Sequence, residues 1–219
     1  MTWPKKLVLV RHAESIGNVL SRDERTACPT STHEYPLTEK GRKQASLTGK
    51  WLENEFGGFD IHYVSYYRRS KETMSIMFPD ARVYEDPRLA EAQRGIYHAV
   101  TDAEMQKKWP EEIARKEREG YYHYRPWGGE NWPDVELRIH SFLGTLARDC
   151  DGQDVIMVVH GHWLLLFQRL IHHFSIDEAI EKYKDLAFKN ASVTTYEEIN
   201  GHLALKMENF APWEFSITA

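Results

Sequence analysis

An arginine and a histidine, Arg11 and His12, follow a short apolar segment and have the chemistry of an anion site. The segment, residues 7–10 (LVLV), is typical of a buried strand in a parallel sheet. Arg11 and His12 then lie at the strand's carboxyl end, where open α/β sheets bind their ligands. Ser15 and Asn18 follow where a helix is predicted to begin, which adds free N–H groups and a partial positive charge. A guanidinium, an imidazole and a helix start in one place favour an anion, and phosphate fits best.

A second histidine, His160, stands in the same kind of place. It follows the near-continuous apolar segment at residues 154–159, and an apolar helix is predicted after Gly161. Both histidines therefore lie at the end of a buried strand and at the start of a helix. We predict that His12 and His160 are in contact at one edge of the sheet.

The rest of the chain alternates between strand and helix patterns. The predicted strands are residues 7–10, 61–64, 81–84, 154–159, 193–199 and 203–207. The predicted helices are residues 38–56, 65–78, 101–108, 110–119, 134–150, 163–171 and 175–183. Residues 19–36 are polar without periodicity and are predicted to be loop. The alternation predicts an α/β fold, a three-layer sandwich with a central, mostly parallel sheet and helices on both faces, in one domain over residues 1–219.

The segment at residues 99–135 is predicted to be an insertion into this fold. It combines two charged helices with a stretch rich in tyrosine and tryptophan at residues 121–132. Such a stretch is either a lid that contacts a substrate or a loop whose aromatic side chains pack on the core. The stretch lacks the interleaved basic residues of a nucleic-acid platform.

The composition of the chain excludes several classes of protein. Its 219 residues are 42% hydrophobic and 28% charged, as in an ordinary soluble globular domain, and the net charge of −5 argues against nucleic-acid binding through a basic surface. No apolar stretch is long enough for a membrane span or a signal peptide, so no membrane partner is expected. Cys28 and Cys150 are the two cysteines, which indicates reduced thiols and a cytoplasmic protein. No phosphate-binding loop of the G-x-x-x-x-G-K-[ST] type is present.

The sequence Arg11-His12-Ala13-Glu14-Ser15, with Asn18 behind it, resembles the signature of the histidine phosphatase superfamily, the phosphoglycerate mutase-like enzymes. That family usually has glycine where this chain has Ala13. Further motifs of the family follow in the expected order and cover residues 5–98 and 130–198. They are Pro36-Leu37-Thr38, then Ser65 with Arg69 and Thr73, then Leu89 with Glu91 and Gly95, then His160-Gly161, and last Asn190-Ala191-Ser192-Val193.

The resemblance implies a reaction and a role for each matching residue. His12 is the nucleophile that forms a phosphohistidine, and Glu91 is the general acid that gives its proton to the leaving group and then activates water. The phosphoryl oxygens are bound by Arg11, Asn18, Arg69 and His160. Of these, Arg11, Arg69 and His160 also belong to the catalytic set with His12 and Glu91. The resemblance implies no metal and no cofactor, because the arginines supply the positive charge.

The favoured function is a metal-independent phosphomonoesterase for a small phosphorylated metabolite. A phosphoglycerate mutase is the nearest alternative, but the mutases have tyrosine three residues after the acid, where this chain has Arg94. They also have adjacent arginines in the segment that corresponds to residues 99–135, which contains none. A protein that only binds a phosphorylated ligand would lack His12 or Glu91. A metal-dependent hydrolase is suggested by the pair His160-x-His162, but no set of carboxylates and histidines has ligand spacing.

Substrate choice is assigned to the part of the chain that least resembles the family. The predicted substrate-binding residues are Arg94, Tyr97, His98 and Arg125. Arg94 either holds a second anionic group of the substrate or pairs with a carboxylate such as Glu91 or Glu130. Other polar residues nearby are given structural interpretations, Arg22, Arg25 and Arg68 as solvated charges and His162 as a helix-start side chain. The oligomeric state is left open, with a homodimer among the alternatives.

Overall fold

The computed structural model describes residues 3–185 and 188–215, and six strands in them form one mixed sheet. The strands are β1 (Lys6–Arg11), β2 (Ile61–Val64), β3 (Val83–Glu85), β4 (Asp154–Val159), β5 (Val193–Ile199) and β6 (His202–Phe210). Their order across the sheet is β3-β2-β4-β1-β5-β6. The first four are parallel to one another, and β5 and β6 are antiparallel to their neighbours. The prediction of a mostly parallel α/β sheet is confirmed.

Helices cover both faces of this sheet. They are α1 (Ile16–Val19), α2 (Arg22–Ala27), α3 (Glu39–Phe56), α4 (Arg68–Met77), α5 (Asp102–Lys108), α6 (Pro110–His123), α7 (Trp132–Asp149), α8 (Gly161–His172) and α9 (Ile176–Asp185). Short 3-10 turns lie at Thr32–Glu34, Pro87–Leu89, Gly95–His98 and Pro212–Glu214. None of the helices in the described residues is long and apolar enough to cross a membrane.

The side chains of β1 show how the layers are held together. Successive residues of a strand point to opposite faces, so Leu7 and Leu9 enter the core cluster formed with the apolar faces of α7 and α8. Val8 and Val10 enter the second cluster, against α3 and α4. All four are fully buried. A run of apolar residues without alternation is what a central strand with helices on both faces requires.

Two segments differ from their predictions. Residues 19–36 were expected to be loop, but they contain α2, which begins at a capping box between Ser21 and Glu24. No side chain of α2 is buried, so the helix has no apolar periodicity from which it could be predicted. Helix α6 was expected to be an exposed helix ending at residue 119, but it continues to His123 through a kink at Gly120, whose φ is 71°. Glu112 on this helix is buried and accepts a hydrogen bond of 2.7 Å from the hydroxyl of Tyr124.

Candidate active site

His12 is fixed in one tautomer at the end of β1. Its Nδ1 lies 2.8 Å from the carbonyl oxygen of Ala13, which only accepts, so Nδ1 carries the proton. Its Nε2 lies 3.0 Å from Nε of Arg69, which only donates, so Nε2 presents its lone pair. The side chain is 3% exposed and lines a cavity. The imidazole therefore offers a nucleophilic nitrogen at the cavity wall.

Burial and nearby charge keep this imidazole neutral. Burial lowers the pKa of His12 well below its ordinary value of 6.5, and the guanidinium groups of Arg69 and Arg11 lower it further. The same three causes act at His160, where burial is again the largest and Arg69 the next. A neutral nitrogen has the lone pair that a nucleophile needs at neutral pH.

The structure brings His160 against His12. The two ring centroids are 5.1 Å apart, and Nη2 of Arg69 lies 3.2 Å from Nδ1 of His160. Because arginine donates, Nδ1 accepts and the proton of His160 is on Nε2, which lies 2.8 Å from Oγ of Ser65. Ser65 follows β2, so the ends of three neighbouring parallel strands supply this group.

Arg69 connects the two histidines. It lies in the first turn of α4, is 9% exposed and uses Nε, Nη2 and Nη1 for His12, His160 and the carbonyl of Thr32. The hydroxyl of Thr73, one turn further on, accepts from the backbone N–H of Ala13 at 3.0 Å and so ties α4 to the segment after β1. The spacing of four between Arg69 and Thr73 puts both side chains on the face of α4 that meets β1.

Arg11 contributes a donor that the protein does not use. Its guanidinium donates to the carbonyl of Phe188, but its buried Nε has no partner among the described residues. A Cβ at Gly161 would lie 3.4 Å from this Nε, so a glycine after His160 keeps the space beside the guanidinium open. A buried N–H without a partner favours an anionic ligand.

Glu91 lies on the same cavity and is held by the start of α8. Its carboxylate accepts from the backbone N–H groups of Ala92 at 3.0 Å, His162 at 3.3 Å and Trp163 at 3.2 Å. A carboxylate at a helix N-terminus is stabilised by the helix dipole. His160 is the N-cap residue of the same helix. Glu91 therefore has a fixed place close to the two histidines, where it can exchange a proton with a bound ligand.

The side-chain amide of Asn18 uses its oxygen for hydrogen bonds within the protein and leaves its nitrogen available at the cavity. Its Oδ1 accepts from the backbone N–H and from the hydroxyl of Ser15, both at 2.9 Å. The amide Nδ2 of Asn18 has no partner in the described part of the chain, and the residue lines the cavity. Asn18 therefore keeps one donor group for a ligand.

The cavity has a volume of about 350 Å³, which is larger than a phosphate group needs. Three of the four residues assigned to substrate binding line it: Arg94, Tyr97 and His98. The structure does not bring Arg125 to the cavity wall, since its guanidinium pairs with Asp134 on the surface. Tyr121, Tyr124 and Trp132 of the aromatic stretch line the cavity, and Tyr124 and Trp132 are also buried. Contact of this stretch with a substrate stays a prediction.

The alternative partners of Arg94 are engaged elsewhere. Glu130 forms an ion pair with Arg138 at 2.8 Å, and Glu91 is held by the start of α8. Arg94 is exposed and makes no ion pair within the described residues. Arg68, by contrast, pairs with Glu72 at 2.7 Å on the surface, as its interpretation as a solvated charge predicts.

Among the residues of the cavity wall that the sequence interpretation did not assign to the site are three basic side chains and a histidine. They are Arg22, Arg25, Lys116 and His162. Arg22 and Arg25 are three residues apart on α2 and share a face, a signal that required α2 to be predicted first. Lys116 is brought to the cavity by the packing of α6, for which the sequence holds no local signal. His162 packs between the rings of Trp132 and Tyr183, and its buried Nε2 has no partner in the described part of the chain.

No metal site is evident in residues 3–185 and 188–215. Nowhere in these residues do three or more side chains of histidine, cysteine, aspartate or glutamate come together as ligands of an ion. The side chains of His160 and His162 do not converge on one point. His160 contacts Arg69 and Ser65, while His162 packs against aromatic rings.

We expect the protein to lose stability in acid because of its buried neutral histidines. Burial lowers the pKa of His162 to about 4. Between about pH 6.5 and 4 this side chain therefore binds a proton in the unfolded chain but not in the folded chain. The free energy of unfolding then falls as the pH falls from about 6.5 to 4, by up to a few kcal/mol for such a group. Urea unfolding of the protein and of His162→Phe at several pH values measures this. The variant should have a shallower dependence on pH, and a variant of the exposed His140→Phe is the matched control. Equal slopes in all three proteins would contradict the assignment.

The chain is similar over most of its length to known proteins of one family. The family model described as "Histidine phosphatase superfamily (branch 1)" matches residues 7–210. The 2,3-bisphosphoglycerate-dependent phosphoglycerate mutase 2 of Gloeobacter violaceus is 28% identical over 88% of this chain and 89% of its own. Phosphoserine phosphatase 1 of Hydrogenobacter thermophilus is 30% identical over 71% of this chain and 70% of its own. The crystal structure of a putative alpha-ribazole-5'-P phosphatase from Escherichia coli superposes with a TM-score of 0.76, covers 93% of this chain and 95% of its own at 19% identity, and so shares the fold.

Proposed function

Because the chain belongs to the histidine phosphatase superfamily, we propose that it is a metal-independent phosphomonoesterase that acts on a small phosphorylated metabolite through a phosphohistidine on His12. The observation that supports this most is the fixed tautomer of His12. Its Nδ1–H is bound to a backbone carbonyl, and its Nε2 lone pair faces the guanidinium of Arg69 at the cavity. Nucleophile and charge neutralisation are thus supplied together.

The first step transfers the phosphoryl group to the protein. Nε2 of His12 attacks phosphorus, the bond from phosphorus to the ester oxygen breaks, and Glu91 gives its proton to the leaving oxygen. Arg69 turns its Nε and Nη2 from the imidazoles to the phosphoryl oxygens, where Nε of Arg11 and Nδ2 of Asn18 also donate. These donors offset the charge that the transferred group carries in the transition state.

The second step returns the protein to its first state. The Glu91 carboxylate takes a proton from a water molecule, the water oxygen attacks phosphorus, and the bond from phosphorus to Nε2 of His12 breaks. Inorganic phosphate leaves with the water oxygen, and Glu91 is again protonated for the next substrate. No charged group other than those of this chain is needed for either step.

A phosphoglycerate mutase is the second candidate, favoured by the likeness to the Gloeobacter violaceus mutase over most of both chains. In a mutase the phosphohistidine returns its phosphoryl group to a bound sugar acid instead of water. The exposed Arg94 three residues after Glu91 and the lack of adjacent arginines at residues 99–135 favour hydrolysis. Phosphoserine phosphatase 1 shows that hydrolysis occurs among relatives of similar identity.

Incubation with a panel of phosphate esters tests the proposal. We expect the purified protein to release inorganic phosphate from p-nitrophenyl phosphate and from at least one sugar phosphate, nucleotide or phosphoamino acid, with no loss of rate in the presence of EDTA. Conversion of 3-phosphoglycerate to 2-phosphoglycerate without release of phosphate would assign the mutase activity instead. No turnover of any ester, together with tight binding of one of them, would assign a binding protein.

A further inference from the structure

Four cationic side chains line the cavity beyond the phosphoryl pocket, and we call them the basic rim: Arg22, Arg25, Arg94 and Lys116. They come from three places in the chain, namely α2, the segment before the 3-10 turn Gly95–His98, and α6. All four are more exposed than the buried Arg69. The chain as a whole has a net charge of −5, so this concentration of positive charge is local to the cavity.

The protein itself neutralises little of this charge. Arg22 pairs with Asp102, but Arg25, Arg94 and Lys116 make no ion pair within the described residues. The two acidic side chains of the cavity wall are Glu91, which the start of α8 holds, and Glu130, which pairs with Arg138. Unpaired like charges in one cavity repel one another, and an anionic ligand removes that cost.

The rim surrounds two residues of the Gly95–His98 turn. The guanidinium of Arg22 lies 5.1 Å and the ammonium of Lys116 4.7 Å from the ring centre of Tyr97. Burial, and after it the guanidinium groups of Arg94, Arg25, Arg69 and Arg22 in that order, lower the pKa of His98 to about 4, so four guanidinium groups act on one imidazole. The rim and the phosphoryl pocket belong to one continuous space, because the side chains of both line the same cavity.

Hydrogen bonds within the protein hold part of the rim in place. Nη1 of Arg25 donates to the carbonyl of Gly17 at 2.9 Å. The hydroxyls of Tyr97 and Tyr124 lie 3.4 Å apart, and Tyr124 donates to the buried carboxylate of Glu112 on α6. The ring on which Arg22 and Lys116 lie is thereby fastened to α6. A site with fixed donors loses less entropy when it binds.

We propose that the basic rim binds a second phosphate group of the substrate, so that the preferred substrates are small bisphosphorylated metabolites. The inference rests on the proposed phosphomonoesterase activity of the same site. Guanidinium groups match the oxygens of a phosphate dianion with paired donors, and three arginines and a lysine supply more charge than one carboxylate needs. The cavity of about 350 Å³ is at the small end for ligand pockets, which suits two phosphates on a single ring or short carbon chain.

A matched pair of sugar phosphates tests the assignment. We expect kcat/KM for glucose 1,6-bisphosphate to exceed that for glucose 6-phosphate by at least about tenfold, since only the bisphosphate reaches the rim. Arg94→Ala and Lys116→Ala should each reduce kcat/KM for the bisphosphate by about tenfold, through KM, and change the rates for p-nitrophenyl phosphate by less than about twofold. Arg125→Ala is the matched control, because Arg125 is an exposed arginine that does not line the cavity.

Other results would overturn the second phosphate site, assign the rim to a carboxylate, or overturn the proposed function. Equal kcat/KM for the two sugar phosphates, or an equal loss for every ester in Arg94→Ala, would overturn the second phosphate site. A dependence on the rim seen with 3-phosphoglycerate and not with the bisphosphate would assign the rim to a carboxylate. If no ester is hydrolysed, the proposed function fails. Calorimetric titration with glucose 1,6-bisphosphate still measures whether the rim contributes to binding. Weaker binding in Lys116→Ala than in Arg125→Ala would then support it, and equal binding would overturn it.

Discussion

His12→Ala is expected to reduce the rate of phosphate release by at least about three orders of magnitude. The substitution removes the nitrogen that is proposed to attack phosphorus, and neither His160 nor His162 is placed to replace it. His160 is turned so that its proton-bearing Nε2 faces Ser65, and His162 packs among aromatic rings. The measurement is the steady-state rate of phosphate release from p-nitrophenyl phosphate.

Two further measurements separate chemistry from folding. The thermal midpoint of His12→Ala should stay close to that of the parent, because the ring makes two side-chain hydrogen bonds and the sheet does not depend on it. His140→Ala, at an exposed position of α7, is the matched control and should keep full activity. Quenching the parent protein during turnover of a ³²P-labelled ester should give a labelled protein that is stable in alkali and labile in acid, as a phosphoramidate is. Full activity in His12→Ala would refute the phosphohistidine mechanism.

Glu91→Gln is expected to distinguish substrates by their leaving groups. A sugar alkoxide needs a proton to leave and p-nitrophenolate does not, so phosphorylation by a sugar phosphate should slow by about 10² to 10⁴-fold and phosphorylation by p-nitrophenyl phosphate far less. Rapid-quench measurement of the phosphorylated protein isolates this step from the later hydrolysis by water.

The ratio of the two rates serves as the internal control. Glutamine places an NH₂ group where the carboxylate accepts from backbone N–H groups at the start of α8, so some local disturbance is expected. Such a disturbance slows both esters alike and leaves their ratio unchanged. Equal losses for both esters would therefore remove Glu91 from the role of proton donor.

The parts of the site that lie at strand ends could be predicted from the sequence. The carboxyl end of a buried strand can be located from the sequence, because the apolar run stops there. The positions of His12 and His160 therefore followed from residues 7–10 and 154–159. The spacing of four between Arg69 and Thr73 likewise requires only a helix after β2. Glu91 was assigned to the site from the order of the family motifs. Its local sequence alone does not distinguish it from a solvated surface glutamate.

The parts that depend on packing between distant segments could not be predicted. Lys116 and Arg125 are both basic residues of the same insertion, and only the fold decides that one lines the cavity and the other pairs with Asp134. In the sequence, Glu112 resembles the other charged residues of an exposed helix. In the fold, Tyr124 packs against it and donates a hydrogen bond to its carboxylate. The sequence left Glu91 and Glu130 as alternative partners of Arg94, but tertiary contacts engage both carboxylates.

The attachment of Glu91 to α8 has a mechanical consequence. His160 is the N-cap of α8, and His162 and Trp163 in its first turn donate their N–H groups to the Glu91 carboxylate, so one helix end carries His160 and also holds Glu91. The places of Glu91 and His160 therefore both depend on the start of α8. Neither α5 nor α6 supplies these hydrogen bonds, so we expect that changes in those two helices can alter the cavity wall and leave the spacing between Glu91 and His160 unchanged.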